Sequence, residues 1–163
     1  MAIVGVISDT HSVLLESVEN FLKNCDFIIH AGDIGDSMII ERLNRIAKVY
    51  AVYGNIDDSK VRLHNPEHQY FMIEDAGILL MHIGGYPPKY NQDSKRLIEK
   101  YNPDLFITGH SHILKVMYDK IYQHLYINPG AAGKFGFHKS ITAVRFEIAG
   151  KSFQNLEVLD IQK

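Results

Sequence analysis

The chain has 163 residues, of which 46% are hydrophobic and 22% are charged, as is usual for one globular domain. The formal net charge of -2 gives no general attraction to nucleic acid or to a membrane surface. No apolar run is long enough to cross a bilayer, and the single Cys25 excludes an internal disulfide. We therefore expect one domain over residues 1–163, a cytoplasmic location, and neither a membrane nor a nucleic-acid partner.

Short apolar runs alternate with stretches of helical period, mainly in the first half of the chain. The runs that predict buried strands are residues 3–7, 27–29, 49–53, 78–81 and 105–107. The stretches that predict helices are residues 13–23, 37–47 and 92–101. Ser12 is placed to cap the first helix, and Pro103 follows the end of the third.

Strands joined by tight turns are predicted between residues 69 and 82 and again over the last fifty residues. Two strand-like runs between residues 69 and 82 flank Asp75-Ala76-Gly77, which predicts a hairpin. The later runs with strand character are residues 113–118, 121–127, 141–148 and 152–159. The change from alternating strands and helices to a meander favours two packed sheets with helices outside them. The predicted fold class is therefore mixed α/β.

Polar side chains suited to metal binding follow five of the predicted strands. They are Asp9, His11, Asp33, Asn55, His82, His110 and His112. Ligands bind open α/β sheets beyond the carboxyl ends of the strands, so we expect these side chains to meet in one crevice. Turn formation alone would explain Gly-Asp and Gly-Asn pairs, but it does not predict histidine after three of these strands. Carboxylates and imidazoles suit Mn, Fe, Zn or Ni without singling out one metal.

The order and spacing of these residues resemble those of the calcineurin-like metallophosphoesterases. The family motifs D-x-H, G-D, G-N, H and G-H-x-H are matched here by Asp9-Thr10-His11, Gly32-Asp33, Gly54-Asn55, His82 and Gly109-His110-Ser111-His112. The similarity is greatest to the small bacterial and archaeal phosphodiesterases of the YfcE type. It implies a four-layer β-sandwich flanked by helices, and an enzyme that hydrolyses a small phosphoester, most often a phosphodiester.

The resemblance also implies a role for each of the seven residues. Asp33 would bridge two divalent ions, for which Mn is the first choice and Fe, Zn and Ni are alternatives. The other ligands would be Asp9, His11 and His112 for the first ion and Asn55, His82 and His110 for the second. A hydroxide that bridges the ions would attack phosphorus, and Asn55 and His11 are also assigned to the catalytic set.

One position departs from the pattern of the larger family members. They carry a histidine after the Gly-Asn pair that stabilises or protonates the leaving group, whereas this chain has Ile56. The change argues against strong acid catalysis but removes no metal ligand. The alternative is a protein-binding scaffold with weak or no catalysis, similar to the retromer subunit Vps29. Retention of all seven ligand-type residues favours the enzyme, while the natural substrate and a homo-oligomeric state stay open.

Several other residues are weaker candidates. His30 is either a hydrogen-bond partner that orients Asp33 or a buried polar residue outside the site. Asp57 is a candidate for orienting its neighbours, and loop solvation is the expected role of Asp58. The Asn128-Pro129-Gly130 stretch either forms a turn or shapes the wall of a pocket, and the turn is slightly favoured.

The last group of candidates consists of residues without a motif. Lys134 and His138 are candidates for contact with an anionic substrate, and their roles stay open. Tyr86 and Tyr90, in the loop after His82, are candidates for the border of a pocket. The three histidines expected at the surface are His64, His68 and His124.

Overall fold

The computed structural model describes residues 1–163, which form two five-stranded sheets, a two-stranded hairpin and four helices. The helices are α1 (Glu16–Leu22), α2 (Met38–Asn44), α3 (Ser59–His64) and α4 (Gln92–Tyr101). None of the four combines the length and the apolar character that crossing a membrane requires.

The first sheet is built around three parallel strands. These are β1 (Ala2–Ile7), β2 (Phe27–His30) and β3 (Lys48–Ala51), in that order. The long hairpin of β11 (Ser140–Ala149) and β12 (Ser152–Gln162) extends the sheet beyond β1 with antiparallel pairing. Because β1, β2 and β3 run in one direction, their carboxyl ends lie at the same edge of the sheet.

The second sheet also has three parallel strands at its centre. The sheet has the order β4 (His68–Ile73), β5 (Ala76–Met81), β8 (Leu105–Ile107), β10 (His124–Pro129) and β9 (Leu114–Asp119). Strands β5, β8 and β10 are parallel, whereas β4 and β9 pair antiparallel at the two edges. A separate small hairpin, β6 (Gly85–Tyr86) and β7 (Lys89–Tyr90), follows β5.

The main hydrophobic core lies between the two sheets. Side chains alternate between the faces of a strand, so Val4 and Val6 of β1 face the second sheet while Ile7 faces the helices. Ile78 and Leu80 of β5 enter the same inner core from the other side. Full burial of such a side chain contributes about 1.5–3 kcal/mol to the stability of the fold.

Helices cover the outer face of each sheet. Val18 of α1 and Leu43 of α2 are buried against the first sheet, together with Val61 of α3. Leu97 and Ile98 of α4 are buried against the second sheet. The layers are therefore helices, sheet, sheet and helix, which confirms the predicted mixed α/β fold and the four-layer arrangement implied by the resemblance.

The helices differ in extent from the sequence prediction. The helix predicted over residues 13–23 begins only at Glu16, and Ser12 does not cap it. Ser12 has a φ of 69°, and its N–H donates to the carbonyl of Ile34, so residues 10–13 are held as a loop beside β2. The second helix is shorter than predicted and ends at Asn44. The third predicted helix, residues 92–101, is confirmed.

The sequence pattern does not predict α3. Its six residues are too few for a clear apolar stripe, and only Val61 is buried. The structure shows that Asp58 caps this helix, since its carboxylate accepts the N–H of Val61 at 3.0 Å. The expected role of Asp58 in loop solvation is therefore wrong.

The last fifty residues form two hairpins in different sheets instead of one meander. Strands β9 and β10 belong to the second sheet, whereas β11 and β12 join the first sheet next to β1. The connection between them runs past the end of β1, where Ala132 and Gly133 donate their N–H groups to the carbonyls of Ser8 and Asp9. Each strand is predictable from its pattern, but the choice of sheet depends on these long-range contacts.

Candidate metal centre

The structure brings all seven predicted ligand residues together at one edge of the two sheets. They follow strands β1, β2, β3, β5 and β8, which are the parallel strands that end there. Their side chains are Asp9, His11, Asp33, Asn55, His82, His110 and His112. The crevice expected from the sequence is therefore formed by the loops after these five strands.

The first group of ligand atoms belongs to Asp9, His11 and His112, and these atoms lie within 4.8 Å of one another. His112 Nε2 is 3.2 Å from Asp9 Oδ1, and His11 Nε2 is 3.9 Å from the same oxygen. The second oxygen of Asp9 is occupied, because it accepts the Ser8 hydroxyl at 2.6 Å and the His110 N–H at 3.1 Å. Oδ1 is thereby directed toward the histidines.

Two atoms in this group are buried without a hydrogen-bond partner. They are Asp9 Oδ1 and His11 Nε2. An unsatisfied buried polar atom costs about 1–3 kcal/mol, and more if it is charged. A cation between these atoms would remove that cost, so the residues present fit a bound metal ion.

The second group consists of Asp33, His82 and His110, again with ligand atoms within 4.8 Å of one another. His82 Nε2 lies 3.3 Å from Asp33 Oδ2. Asn55 Oδ1 is 3.1 Å from His82 Nε2 and 3.1 Å from His110 Nδ1. The amide oxygen of Asn55 is therefore placed to join this group as a fourth ligand.

A backbone contact fixes the orientation of the His82 ring. Its Nδ1 lies 2.6 Å from the carbonyl oxygen of Ala31. A carbonyl only accepts, so Nδ1 carries a proton and the opposite nitrogen, Nε2, faces Asp33 and Asn55. Histidines that bind metals almost always have such a partner on the other ring nitrogen.

Asp33 is a member of the second group that also lies close to the first. Its Oδ2 is 3.3 Å from His82 and 3.5 Å from His11, while Oδ1 accepts the N–H of Ile56 at 3.1 Å. Burial opposes ionisation of Asp33, but the hydrogen bond and the positive charge of His82, with the Ile56 N–H, hold its pKa below the usual value. Asp33 is thus an ionised carboxylate that contacts both groups.

The acids also act on His82. Burial alone would lower the pKa of His82, but the hydrogen bond to Asp33 and the charges of Asp9 and Asp33 raise it above its usual value. A negative environment that favours a proton on a buried imidazole also favours a divalent cation at the same place.

The backbone at the site is unusual in that most of the ligand residues have positive φ. The angles are 54° at Asp9, 44° at His11, 53° at Asp33, 71° at His110 and 61° at His112. Asp, Asn and His tolerate this region better than other side chains, but each such residue still costs energy. Backbone strain of this kind is concentrated at functional sites.

Gly32 is required by close packing against His82. Its φ is 97°, and a Cβ atom at this position would lie 2.6 Å from the imidazole Nδ1. Any side chain here would displace the histidine ring. The Gly-Asp pair is therefore explained by packing and by backbone conformation together.

Asp57 ties two of the site loops together. Its Oδ2 accepts the N–H groups of Ile34 at 3.1 Å and Gly54 at 2.8 Å, and its Oδ1 accepts the N–H of Gly35 at 2.7 Å. These bonds join the loop that carries Asp33 to the loop after β3. The prediction that Asp57 orients its neighbours is confirmed by these contacts.

Asn128 supports the loop after β8. Its side-chain amide donates to the Gly109 carbonyl at 2.9 Å and to Ser111 Oγ at 3.0 Å, and its Oδ1 accepts the Gly130 N–H. The interpretation of Asn128-Pro129-Gly130 as a turn is therefore wrong, since Asn128 and Pro129 belong to β10. The residue positions the loop between Gly109 and Ile113, which carries two ligand candidates.

His30 does not contact the side chain of Asp33. Its Nδ1 accepts the N–H of Gly32 at 3.2 Å, and its Nε2 lies 2.9 Å from Thr10 Oγ1. Burial lowers the pKa of His30 to about 3, so the ring is neutral. Of the two alternatives, His30 acts as a buried polar residue that holds the backbone on either side of the site.

The three histidines expected at the surface have different environments. His64 is exposed and His68 is half-buried, but His124 is fully buried. His124 Nε2 lies 2.9 Å from the hydroxyl of Tyr90, which also donates to Asp119 at 2.8 Å. The expectation for His124 is wrong. The alternation of residues 124, 126 and 128 along one face of β10 was the signal for its burial.

A cavity of about 540 Å³, here called the metal cavity, opens over five of the seven residues. His11, Asp33, Asn55, His110 and His112 line it, as does Ile56. The remaining lining residues include Ser111, Ile113, Phe135, Phe137 and His138. The two phenylalanines had no signal in the sequence beyond their position next to Gly136.

The segment around Gly136 forms the rim of this cavity. The Phe135 ring lies 5.0 Å from the His11 ring, and Phe137 is fully exposed. His138 donates from Nε2 to the Gly133 carbonyl at 2.8 Å, and its ring is 5.1 Å from that of His112. Lys134 is exposed and is not among the residues that line the cavity.

Comparison with known proteins agrees with this arrangement of motifs. Residues 1–151 match the calcineurin-like phosphoesterase superfamily domain. A probable metallophosphoesterase from Methanocaldococcus jannaschii is 35% identical over 135 residues, which cover 79% of this chain and 67% of that protein.

Two solved structures share the fold. A predicted phosphoesterase from Streptococcus pneumoniae has a TM-score of 0.73 at 22% identity, covering 98% of this chain and 89% of the other. Wild-type Vps29 from Entamoeba histolytica, solved in complex with Zn²⁺, has a TM-score of 0.75 at 18% identity and 98% coverage of both chains. Together, the match over residues 1–151 and the archaeal relative show that the chain belongs to the calcineurin-like phosphoesterase superfamily.

Proposed function

We propose that the protein is a metal-dependent phosphodiesterase that hydrolyses a small phosphodiester with two divalent ions. The observation that carries this proposal is the pair of ligand groups that Asp33 connects. Seven ligand-type residues are more than one tetrahedral site uses. Two ions about 3.5–4 Å apart would hold the phosphoryl group and supply an activated water.

Each ion is assigned its own ligands in this proposal. Asp33 would be a ligand of both ions. The other ligands of the first ion would be Asp9, His11 and His112. The other ligands of the second ion would be Asn55, His82 and His110. Mn is the first choice, and the same oxygen and nitrogen donors suit Fe, Zn and Ni.

The chain's own residues would position the substrate and exclude water. Asn55 and His11 line the metal cavity beside Asp33, which supports their assignment to the catalytic set. Phe135 lies against the His11 ring and shields that side from solvent. Ile56 lines the same cavity, at the position where the larger relatives carry a histidine, and its side chain has no proton to give.

The fold also supports a second candidate, a protein-binding scaffold with weak or no catalysis. Wild-type Vps29 from Entamoeba histolytica shares the fold and was solved with Zn²⁺, so bound metal does not separate the two candidates. Exposed apolar side chains at the rim favour a partner that would cover them. They are Ile113, Phe135 and Phe137. Turnover is the property that distinguishes the candidates.

The test combines metal analysis with hydrolysis of bis(p-nitrophenyl) phosphate in the presence of Mn²⁺. The expected result is two ions per chain and metal-dependent turnover. His110→Ala should lose that turnover, because it removes a ligand, whereas the control His64→Ala should keep it, because His64 is exposed outside the metal cavity.

Two outcomes would contradict the proposal. Normal turnover in His110→Ala would show that the assignment of ligands is wrong. Failure of the unmodified protein to hydrolyse any of a panel of diesters and monoesters with Mn, Fe, Zn or Ni would favour the scaffold.

A further inference from the structure

A second cavity adjoins the metal cavity. It also has a volume of about 540 Å³, which is within the range of small-molecule sites. His110, Ser111 and Ile113 line both cavities, so the loop after β8 is the wall that they share. A molecule bound at the seven ligand residues can therefore extend over this loop into the second cavity, here called the side cavity.

The polar groups in the wall of the side cavity are largely satisfied by each other. The Tyr126 hydroxyl donates to the Gly85 carbonyl at 2.8 Å. Asn91 donates to the Ile83 carbonyl and accepts the Ser94 N–H, each at 2.8 Å. These bonds hold the β6–β7 hairpin against β10 and leave few wall groups in need of a partner.

Two lysines are the exception. Lys89 and Lys115 line the side cavity, and no aspartate or glutamate does. The lysine and arginine ion pairs of the chain involve Arg42, Arg145 and Lys151, so neither cavity lysine is neutralised by a carboxylate. The side cavity is therefore positively charged, although the whole chain carries a net charge of -2.

Lys115 is held at a defined position. It is paired with Asn128 across β9 and β10, so both side chains project on the same face of the second sheet. Its Nζ lies 4.2 Å from the centre of the Tyr86 ring, a cation–π contact that keeps the ammonium group at the cavity. Lys89 is exposed on the neighbouring strand β7.

Ser111 provides a polar contact where the cavities meet. Its Oγ accepts hydrogen bonds from Asn128 Nδ2 at 3.0 Å and from the Ile113 N–H at 3.2 Å. Both bonds use the oxygen as the acceptor, so the hydroxyl hydrogen is left to donate to a ligand. A phosphoester oxygen at the shared wall is the kind of acceptor that fits this donor.

We propose that the side cavity binds a second anionic group of the substrate, a phosphate or a carboxylate, carried on the arm of the ester that the metal centre cleaves. The inference rests on the proposed phosphodiesterase function. Lys89 and Lys115 bind the anion, while Ile83 and Ile113 contact the carbon framework that connects it to the scissile ester. The two lysines are thus specificity-determining residues.

The test uses three p-nitrophenyl aryl phosphate diesters that differ only in the aryl arm. The arms are phenyl, 4-carboxyphenyl and 4-phosphonophenyl, and the last two separate a carboxylate site from a phosphate site. The double variant Lys89→Gln/Lys115→Gln is compared with Lys95→Gln, an exposed lysine of α4 that does not line the side cavity.

The unmodified protein and Lys95→Gln should hydrolyse at least one anionic ester with kcat/KM about tenfold above that of the neutral ester, as expected for a hydrogen-bonded charge. The double variant should lose this preference through a higher KM and should hydrolyse the neutral ester normally. Equal kcat/KM for all three esters in the unmodified protein, or an equal loss for all three in the double variant, would overturn the inference.

A binding experiment separates this inference from the proposed function. Phenylphosphonate and 4-carboxyphenylphosphonate are not hydrolysed, and their affinities are measured by calorimetry in Mn²⁺. 4-Carboxyphenylphosphonate, which carries one more anionic group than phenylphosphonate, should bind about tenfold more tightly than phenylphosphonate to the unmodified protein, and the double variant should lose this difference. If the protein shows this binding preference but hydrolyses no diester, the proposed phosphodiesterase function is rejected and the anion site is kept. If the protein hydrolyses diesters but shows no preference in binding or turnover, the anion site is rejected and the phosphodiesterase function is kept.

Discussion

The metal cavity and the side cavity share one wall but are built in different ways. The metal cavity is lined by candidate ligands from four loops and lies beside buried polar atoms without partners, such as Asp9 Oδ1. The side cavity has walls whose polar groups bond to one another, and it keeps only the charges of Lys89 and Lys115. The first arrangement is suited to hold ions and perform chemistry, and the second is suited to select which molecule reaches them.

The largest effect is expected at Asp33, whose replacement should damage the metal cavity and leave the side cavity intact. Asp33→Ala should lose both ions and reduce diester hydrolysis by more than about 100-fold, since even an outer partner of a metal ligand can cost that much. Elemental analysis and kinetics measure the two effects. Any preference for 4-carboxyphenylphosphonate over phenylphosphonate should still depend on Lys115, because this lysine lines the side cavity and not the metal cavity. The control is Asp160→Ala, an exposed acid on β12. Retention of two ions per chain would show that Asp33 does not bridge.

The next effect concerns the leaving group and depends on Ile56, which lines the metal cavity. A positioned acid contributes about 10²–10⁴-fold, so its absence should make the rate depend steeply on leaving-group pKa. A series of aryl and alkyl esters measures this slope. Ile56→His should flatten it, and Ile56→Leu is the matched control. A flat dependence in the unmodified protein, with chemistry limiting, would make His138, which lines the same cavity, the candidate donor.

A smaller effect is expected at Asp57, which bonds to the backbone of two site loops without being a ligand. Asp57→Asn replaces an ionised acceptor with a weaker one that also brings a donor. Metal affinity should fall by about 10–100-fold, as for other residues that orient ligands. Titration of the protein with Mn²⁺ measures the change. An unaltered affinity would mean that the loops hold their positions without Asp57.

The smallest effect on the metal cavity is expected at Asp58. Asp58→Ala removes the cap of α3 and should lower the free energy of unfolding by about 1 kcal/mol. Metal affinity should stay unchanged, because Asp58 bonds to Val61 and not to a loop of the site. Urea unfolding and the same Mn²⁺ titration provide the comparison with Asp57. Loss of metal affinity in Asp58→Ala would show that α3 itself positions Asn55.

The metal cavity is more predictable from the sequence than its surroundings. The ligand residues are recognisable because His, Asp and Asn stand directly after apolar runs, and the strand periodicity places those runs in parallel sheets. Helix α4 was predictable because ten residues give a clear apolar stripe between Asn91 and Asn102. Helix α3 is not predictable in this way, because its six residues bury only Val61.

Features that depend on pairing between distant strands were not predictable. Lys89 and Lys115 reach one cavity only because a hairpin after β5 folds over the β9–β10 pair. Likewise, Phe135 reaches His11 because the connection between β10 and β11 crosses between the sheets. Neither contact produces a periodic pattern in the sequence. Local sequence patterns therefore predict the ligand residues of the site but not the residues proposed to determine substrate specificity.

The positive φ angles at the ligand residues imply a conflict between stability and activity. Asp9 has a φ of 54°, where a non-glycine residue costs about 1–2 kcal/mol. In the presence of a chelator, Asp9→Gly should therefore unfold at a higher temperature than Asp9→Ala, which keeps the strained angle without the carboxylate. Equal melting temperatures would argue against stored strain. A protein selected for stability alone would place glycine at such positions, so the choice of aspartate and histidine there trades folding stability for the position of a ligand.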